Sequence, residues 1–339
     1  MQADGGPFMH ADHTATGLPR RRMLQGALLA LLAGAVPGSR AQGYPSRAIR
    51  LVVPWGPGGL VDTGGRVVGD ALQKALGQST AVENVPGAAG TLGAQQVAKA
   101  APDGHTLLVA TSSLTIDVGG GRSLAFDPAT DLVPTALIGD SHSVVIVPAA
   151  SPLQTLADLV AVAKARPGAL SYGTPGIGSP AHLFTELFLQ VTGVTMLHVP
   201  YARASALNDL MGGRLDVMFA TVPVALPQVA AGTVRALAVT GARRDAALPR
   251  VPTAAEAGVP RYEAGQWVGL FAPARTPAEV VARLNAEISR ALSAPDTASY
   301  LRSRGLEPRT ATPAEFAAVF AADVRKWGEV IRRGRIELK

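Results

Sequence analysis

The stretch IRLVVPWGPGGLVD, residues 49–62, decides how this chain is read. Its first five residues are aliphatic apart from Arg50, the composition of a strand buried on both faces. The run stops at Pro54. Three glycines and two prolines follow before Asp62, and a different period then takes over. Val67, Val68, Leu72 and Leu76 recur at helical spacing, which predicts a helix over Thr63–Leu76 closed by Gly77. A strand that feeds a helix through a glycine turn is the first half of a βαβ unit. Glycines in such a turn serve one of two ends: the chain bends sharply, or something comes close to its backbone.

The alternation continues outward. STAVEN (79–84) and TLLVAT (106–111) read as strands, with a short helix over Leu92–Ala100 between them. A second unit follows: HSVVIVP (142–148), LSYGT, MLHVPY, LDVMFA and VRALAVT as strands, alternating with helices over Leu156–Arg166, Ser179–Val191, Ala204–Met211 and about Val224–Ala231. Ser179 is the expected N-cap of the second of these. Short apolar strands alternating with helices predict a parallel sheet covered on both faces. After WVGLFAP (267–273) come three helices in a row, Pro277–Leu292, Pro295–Arg304 and Pro313–Ile331, each opening near a proline suited to a first turn. They add no strand and should pack back onto a sheet already made.

Composition narrows the function. The chain has 339 residues, enough for about two domains. Hydrophobic residues at 47% and charged residues at 17% fit a full core and exclude disorder. There is no cysteine, so neither a disulfide framework nor a thiolate metal site exists. The formal charge of +6 falls to +4 without the first 41 residues, which hold four Arg and two Asp. The basic residues are scattered, except in RKWGEVIRRGR near the C-terminus, which reads as the solvated face of a last helix rather than a nucleic-acid patch.

Residues 1–41 read as an address. Arg20–Arg22, an apolar run from Gly26 to Val36 and the small-residue site Ser39-Arg40-Ala41 follow the order of a secretory signal peptide cut after Ala41. RRRML also resembles a twin-arginine signal. The apolar run is shorter than the roughly 20 residues a bilayer needs. The expected location is the periplasm.

Enzyme motifs fail one by one. Residues 56–61 open like a G-x-G-x-x-G fingerprint but lack its last glycine, and no G-x-x-x-x-G-K-[ST] occurs. GIGSP is not a G-x-S-x-G elbow. Of the histidines beyond residue 41, namely His105, His142, His182 and His198, no two stand at i, i+4. No cofactor, metal or catalytic residue is expected. What remains are small polar loops at strand ends, where ligands of open α/β sheets bind: PWGPGGLVD, NVPGAAGTLG, TSSLTID, YGTPGIGSPAH, PYARAS and ATVP. Their N–H groups, with helix N-termini behind them, suit an anion.

These same segments carry a resemblance. YPSRAIRLVVPWGPGGLVD, ENVPGAAGTLGAQQVAKAAPDGHTLLVATSS, YGTPGIGSPAHLFTELF, HVPYARASALNDLMGGRLDVMF, RALAVTGARRDAALPRVPTAAEAG and GLFAPARTPAEVVARLNAEI resemble the extracytoplasmic receptors of tripartite tricarboxylate transporters, the Bug or TctC family, over residues 44–335. The resemblance implies a two-lobed α/β periplasmic binding protein of the type II, Venus-flytrap kind. One lobe would comprise 44–143 plus 265–339 and the other 144–264, with the hinge near 141–145 and 262–267. It implies a small organic acid held in the cleft by loop amides and hydroxyls, hinge closure, a membrane permease as partner, a monomer and no catalysis. The reading leaves open a ligand-presenting sensor and, from another class, a secreted hydrolase.

The ligand-binding candidates are Trp55, Gly58, Gly59, Leu60, Val61, Asp62, Thr111, Ser112, Ser113, Thr174, Gly176, Gly178, Ser179, His182, Tyr201 and Thr221. Each has a plainer role beside it: Asp62 as an N-cap, His182 as a helix-surface histidine, Tyr201 as a packing anchor. Asp117, Asp216 and Trp267 read more readily as solvation, pairing and packing. Where the family has Gly-Gly-Gly-Thr before the aspartate, this chain has Gly58-Gly59-Leu60-Val61, and Trp55 stands where the family has Phe. Both changes imply a more apolar pocket, and with it a larger or aromatic acid as the alternative to a simple dicarboxylate.

Overall fold

A computed structural model describes residues 43–201 and 206–338. The chain divides by its internal packing into Met1–Tyr44 and Pro45–Lys339, and the fold below is that of the second unit. The expected signal peptide lies outside the described residues, as do positions 202–205.

The first βαβ unit is as read. Strands β1 (Ile49–Val53), β2 (Thr80–Asn84) and β3 (Thr106–Thr111) are parallel, with β1 in the middle. Helix α1 (Leu60–Leu76) begins three residues before the expected start, directly after Gly59, and ends on left-handed Gly77. Its small residues let it lie close on the sheet: a Cβ on Gly65 would come within 2.8 Å of Val53. Helix α2 (Thr91–Ala98) and the short helix α3 (Ser113–Gly119) follow, and a single turn, α4 (Pro128–Asp131), leads to the next strand.

That strand corrects the sequence reading. Strand β4 runs from Leu132 to Pro148, ten residues longer at its start than HSVVIVP suggests. Pro134, Gly139 and Asp140 hid its first half, and the register slips beside Pro134 and Gly139 show how the strand absorbs them. From Leu132 to His142, β4 pairs antiparallel with β9 (Gly265–Pro273). From Ser143 onward it pairs instead with β7 (Val217–Thr221) and β8 (Val234–Val239), again antiparallel. In the second unit β5 (Ser171–Thr174) lies parallel to β6 (Leu197–Pro200) and to β7. The sheet is therefore mixed rather than parallel, in the order β2-β1-β3-β9-β4-β7-β5-β6. Two parallel α/β units meet across two antiparallel strands.

Helices α5 (Leu156–Ala165), α6 (Pro180–Thr192), α7 (Ala206–Met211) and α8 (Val222–Ala230) belong to the second unit. Ser179 caps α6 as expected, its side chain accepting from the His182 N–H. Of the three closing helices, α9 (Ala278–Leu292), α10 (Pro295–Ser303) and α11 (Pro313–Gly334), the last opens with a Thr312/Glu315 capping box. A two-residue strand, β10 (Glu307–Pro308), pairs with β4 inside this tail, where no strand was expected.

Helix α11 links the two halves. Phe316 and Phe320 pack on Trp267 and Phe271 of β9. Further along, Trp327, Val330 and Ile331 join the core of the second unit with Phe184 and Phe188. Helix α3 crosses α11 at a pair of glycines. A Cβ on Gly119 would stand 2.5 Å from the Val324 carbonyl, and one on Gly328 would stand 2.8 Å from that of Gly119.

Candidate functional site

A cavity of about 660 Å³ opens where the two parallel units face each other across β4 and β9. Its base comes from four adjacent strands. Thr111 ends β3, Gln266 lies in β9, Ser143 sits where β4 changes partners and Thr221 ends β7. The cross-strand pairs Ser143↔Thr221, Ser141↔Gln266 and Thr111↔Val268 hold these residues in one strip.

Helix ends form the sides. Gly59, Leu60 and Val61 start α1, Ser113 starts α3, Ser179, Pro180 and Ala181 start α6, and Thr221 and Val224 bracket the start of α8. The first N–H groups of a helix have no acceptor within it, and the aligned peptides leave partial positive charge there. Trp55, Phe184, Tyr201, Leu207, Met218 and Phe219 complete the lining. Among the described residues, no Asp, Glu, Lys, Arg or His lines this cavity.

Comparison with known proteins settles the family. A family model described as tripartite tricarboxylate transporter family receptor matches residues 65–336. The chain belongs to this receptor family. It is 38% identical over 319 residues to the UPF0065 protein in the tcbD-tcbE intergenic region of Pseudomonas sp. (strain P51), covering 94% of this chain and 95% of that one. It is 36% identical over 317 residues to Protein BugT of Bordetella pertussis, covering 93% and 97%. Among solved structures, R. palustris Rpa4515 with adipate superposes with a TM-score of 0.74 at 36% identity, covering 86% of this chain and 99% of that one. MatC from Rhodopseudomonas palustris with bound malate gives 0.71 at 34% identity, covering 85% and 100%. The fold is the mixed α/β fold of periplasmic binding proteins, and the family is one of receptors, not enzymes. The hydrolase reading is thereby set aside.

In this receptor the candidates read from sequence divide into two groups. Trp55, Gly59, Leu60, Val61, Thr111, Ser113, Ser179, Tyr201 and Thr221 line the cavity. Gly58, Asp62, Ser112, Thr174, Gly176, Gly178 and His182 stand outside that lining, and most of them hold the lining loops in shape.

Gly58 takes φ of 83°, the left-handed region that favours glycine, and its N–H donates to Asp62 Oδ2 at 2.9 Å. Asp62 is 2% exposed, at the third position of α1. It also accepts from Arg66 Nε and, through Oδ1, from Asn84 Nδ2, each at 2.9 Å. Burial pushes its pKa up, but the hydrogen bonds from Arg66, Gly58 and Asn84 outweigh that and hold it below the usual carboxylate value. Its charge is committed to the turn and leaves nothing to repel an anion. The second glycine loop backs the first: a Cβ on Gly90 would touch the Trp55 ring at 3.5 Å.

The loop 174–179 is built the same way. Thr174 Oγ1 bonds His198 Nε2 at 2.7 Å, and Ser179 Oγ donates to the Gly176 carbonyl at 2.7 Å. The Gly178 N–H donates to His182 Nδ1 at 3.1 Å. His182 stacks on His198 at 4.0 Å, and His198 on Tyr172 at 4.9 Å. Burial, then the neighbouring His198, push the His182 pKa down to about 4, so the ring is neutral and free to accept from the loop.

At the head of α3, the Thr111 and Ser113 hydroxyls bond each other, while Ser112 is fully buried. Asp117 is buried and paired with Arg122 at 2.8 Å. It borders a small crevice beneath Trp55 and not the main cavity. Asp216 accepts from the Ser171 N–H and hydroxyl. Trp267 is buried and donates to Asp323 at 2.8 Å.

The reading of the sequence passed over Ser143, Gln266, Phe184, Leu207, Met218 and Val224. Ser143 and Gln266 lie within strands rather than at strand ends, so the rule that located the loops could not find them. The other four look like ordinary core positions in their helical and strand patterns. Chemically the site offers peptide N–H donors at the heads of α1, α6 and α8, a strip of neutral hydroxyl and amide side chains, and apolar walls.

Proposed function

We propose that this receptor captures a small organic acid in the cavity between its two halves and hands it to the membrane permease of a tripartite transporter. One observation carries the reading: the N-termini of α1, α6 and α8 open onto a cavity that, among the described residues, has no charged side chain. A carboxylate there is met by oriented N–H dipoles and hydroxyls, and no fixed cation is needed to hold it. The adipate and malate bound in the related structures support an acid as the ligand.

The lobes are 44–143 with 265–339, and 144–264. They hinge where β4 changes partners at Ser143 and where β9 begins. Thr240 ties this crossing together: its hydroxyl accepts from the Ser143 N–H at 2.9 Å and lies 2.6 Å from the Ala264 carbonyl. The receptor is periplasmic and monomeric, exported by the leader in residues 1–41, and the permease reads its closed form. Mass spectrometry of material released from freshly purified protein, followed by calorimetry with that compound, tests the proposal. A carboxylate bound one to one, without turnover, is the expected result. A bound cation or neutral sugar, with no acid bound at any concentration, would overturn it.

A further inference from the structure

We infer that the acid this receptor takes carries one anionic end and a bulky apolar body, as an arylalkanoate does, with Leu60 and Val224 selecting for that body. The inference rests on the function proposed above and deepens it. The cavity lining is both polar and apolar. Its neutral polar side chains Thr111, Ser143, Thr221 and Gln266 come from adjacent strands and occupy one strip. The lining also includes Leu60 and Val61 from α1, Leu207 from α7 and Val224 from α8.

The hydroxyls on the loop side are already engaged, that of Ser113 with Thr111. Ser179 gives its proton to the Gly176 carbonyl, and Tyr201 gives its own to Asp209 at 2.6 Å. Away from the helix heads, among the described residues, the lining side chains Phe184, Met218 and Phe219 bring no donor, and a second carboxylate packed there would be stripped of water, which is costly. An apolar body would instead cover side chains left open to solvent: Val224 is 46% exposed, and Leu60 is only partly buried. The volume of about 660 Å³ lies mid-range for pockets that enclose ligands larger than a four-carbon acid, roughly 300–1,000 Å³.

Calorimetric titration of the intact, ligand-stripped protein with 4-phenylbutanoate, adipate, malate and the neutral 4-phenylbutanamide is the test. The aryl acid should bind at least about tenfold more tightly than either dicarboxylate, the scale on which a hydrophobic pocket resolves small apolar differences. It should also bind more tightly than its amide. Leu60→Thr and Val224→Ser should each narrow the preference over adipate. Adipate or malate binding as tightly as the aryl acid in the wild-type protein overturns the inference while leaving the acid receptor standing. An amide that binds as well as the acid, or no binding by any acid, overturns both. Val224 is exposed at the head of its helix, so Val224→Ser should fold; an unchanged preference in that variant also counts against the inference.

Discussion

At the scale of single residues, the site depends on groups that stand outside the cavity lining. Asp62 is the clearest case, because its carboxylate gathers the Gly58 N–H, Arg66 and Asn84 behind the turn that opens α1. Asp62→Ala leaves buried donors without an acceptor and should cost on the order of 2 kcal/mol in urea unfolding, with weakened ligand binding. His182 gives a pH dependence. Its pKa of about 4 in the folded protein lies below the ordinary value near 6.5. The unfolded chain therefore binds the extra proton between those values, and stability falls as pH drops through them, by on the order of 3 kcal/mol in all. Asp117 acts in the opposite sense. Burial raises its carboxyl to about 6 against the pull of Arg122, so the folded protein keeps a proton that the unfolded chain releases. Its contribution falls as pH rises from about 4 to about 6. The two slopes oppose each other in that window. Asp117→Asn should expose the His182 slope, giving a melting temperature that climbs more steeply with pH than the parent's between about pH 4.5 and 6. Parallel profiles in differential scanning calorimetry would dismiss this account.

At the scale of elements, the crossing of α3 and α11 controls how the head of α3 is presented to the cavity. Either Gly119→Ala or Gly328→Ala forces a methyl against backbone and should destabilise by about 1–3 kcal/mol, read from chemical denaturation. A variant as stable as the parent would show that the helices can part freely. This close approach is invisible in the sequence, where Gly119 lies in the run GGG and reads as a turn. Strands and helices with a strong period were legible, from IRLVV to the proline-opened closing helices. The first half of β4 was not, because Pro134, Gly139 and Asp140 break its alternation, and only pairing with β9 makes it a strand. The same holds for the site. Glycine turns and capped helix starts announce themselves locally, so Gly59, Ser179 and Thr221 were found. Ser143 and Gln266 line one cavity only because β4 and β9 pair antiparallel, a relation between segments more than 100 residues apart that no local pattern encodes.

At the scale of the whole molecule, the hinge proposed above lies where β4, which with β9 joins two parallel α/β units, exchanges one set of partners for another at Ser143. Saturating ligand should lower the radius of gyration in small-angle scattering, as expected when two halves close on a bound solute. An unchanged radius with proven occupancy would mean the cavity fills without hinging. The arrangement of aromatic residues also gives the protein a property of its own. Trp267 and Trp327 are sealed in the core, while Trp55 stands in the cavity wall and is the third and last tryptophan of the chain. Light emitted by the two buried indoles is shielded from a dissolved quencher such as iodide, whereas that of Trp55 is within its reach until a guest covers it. The molecule thus carries an intrinsic optical gauge of its own occupancy, readable without dyes or labels.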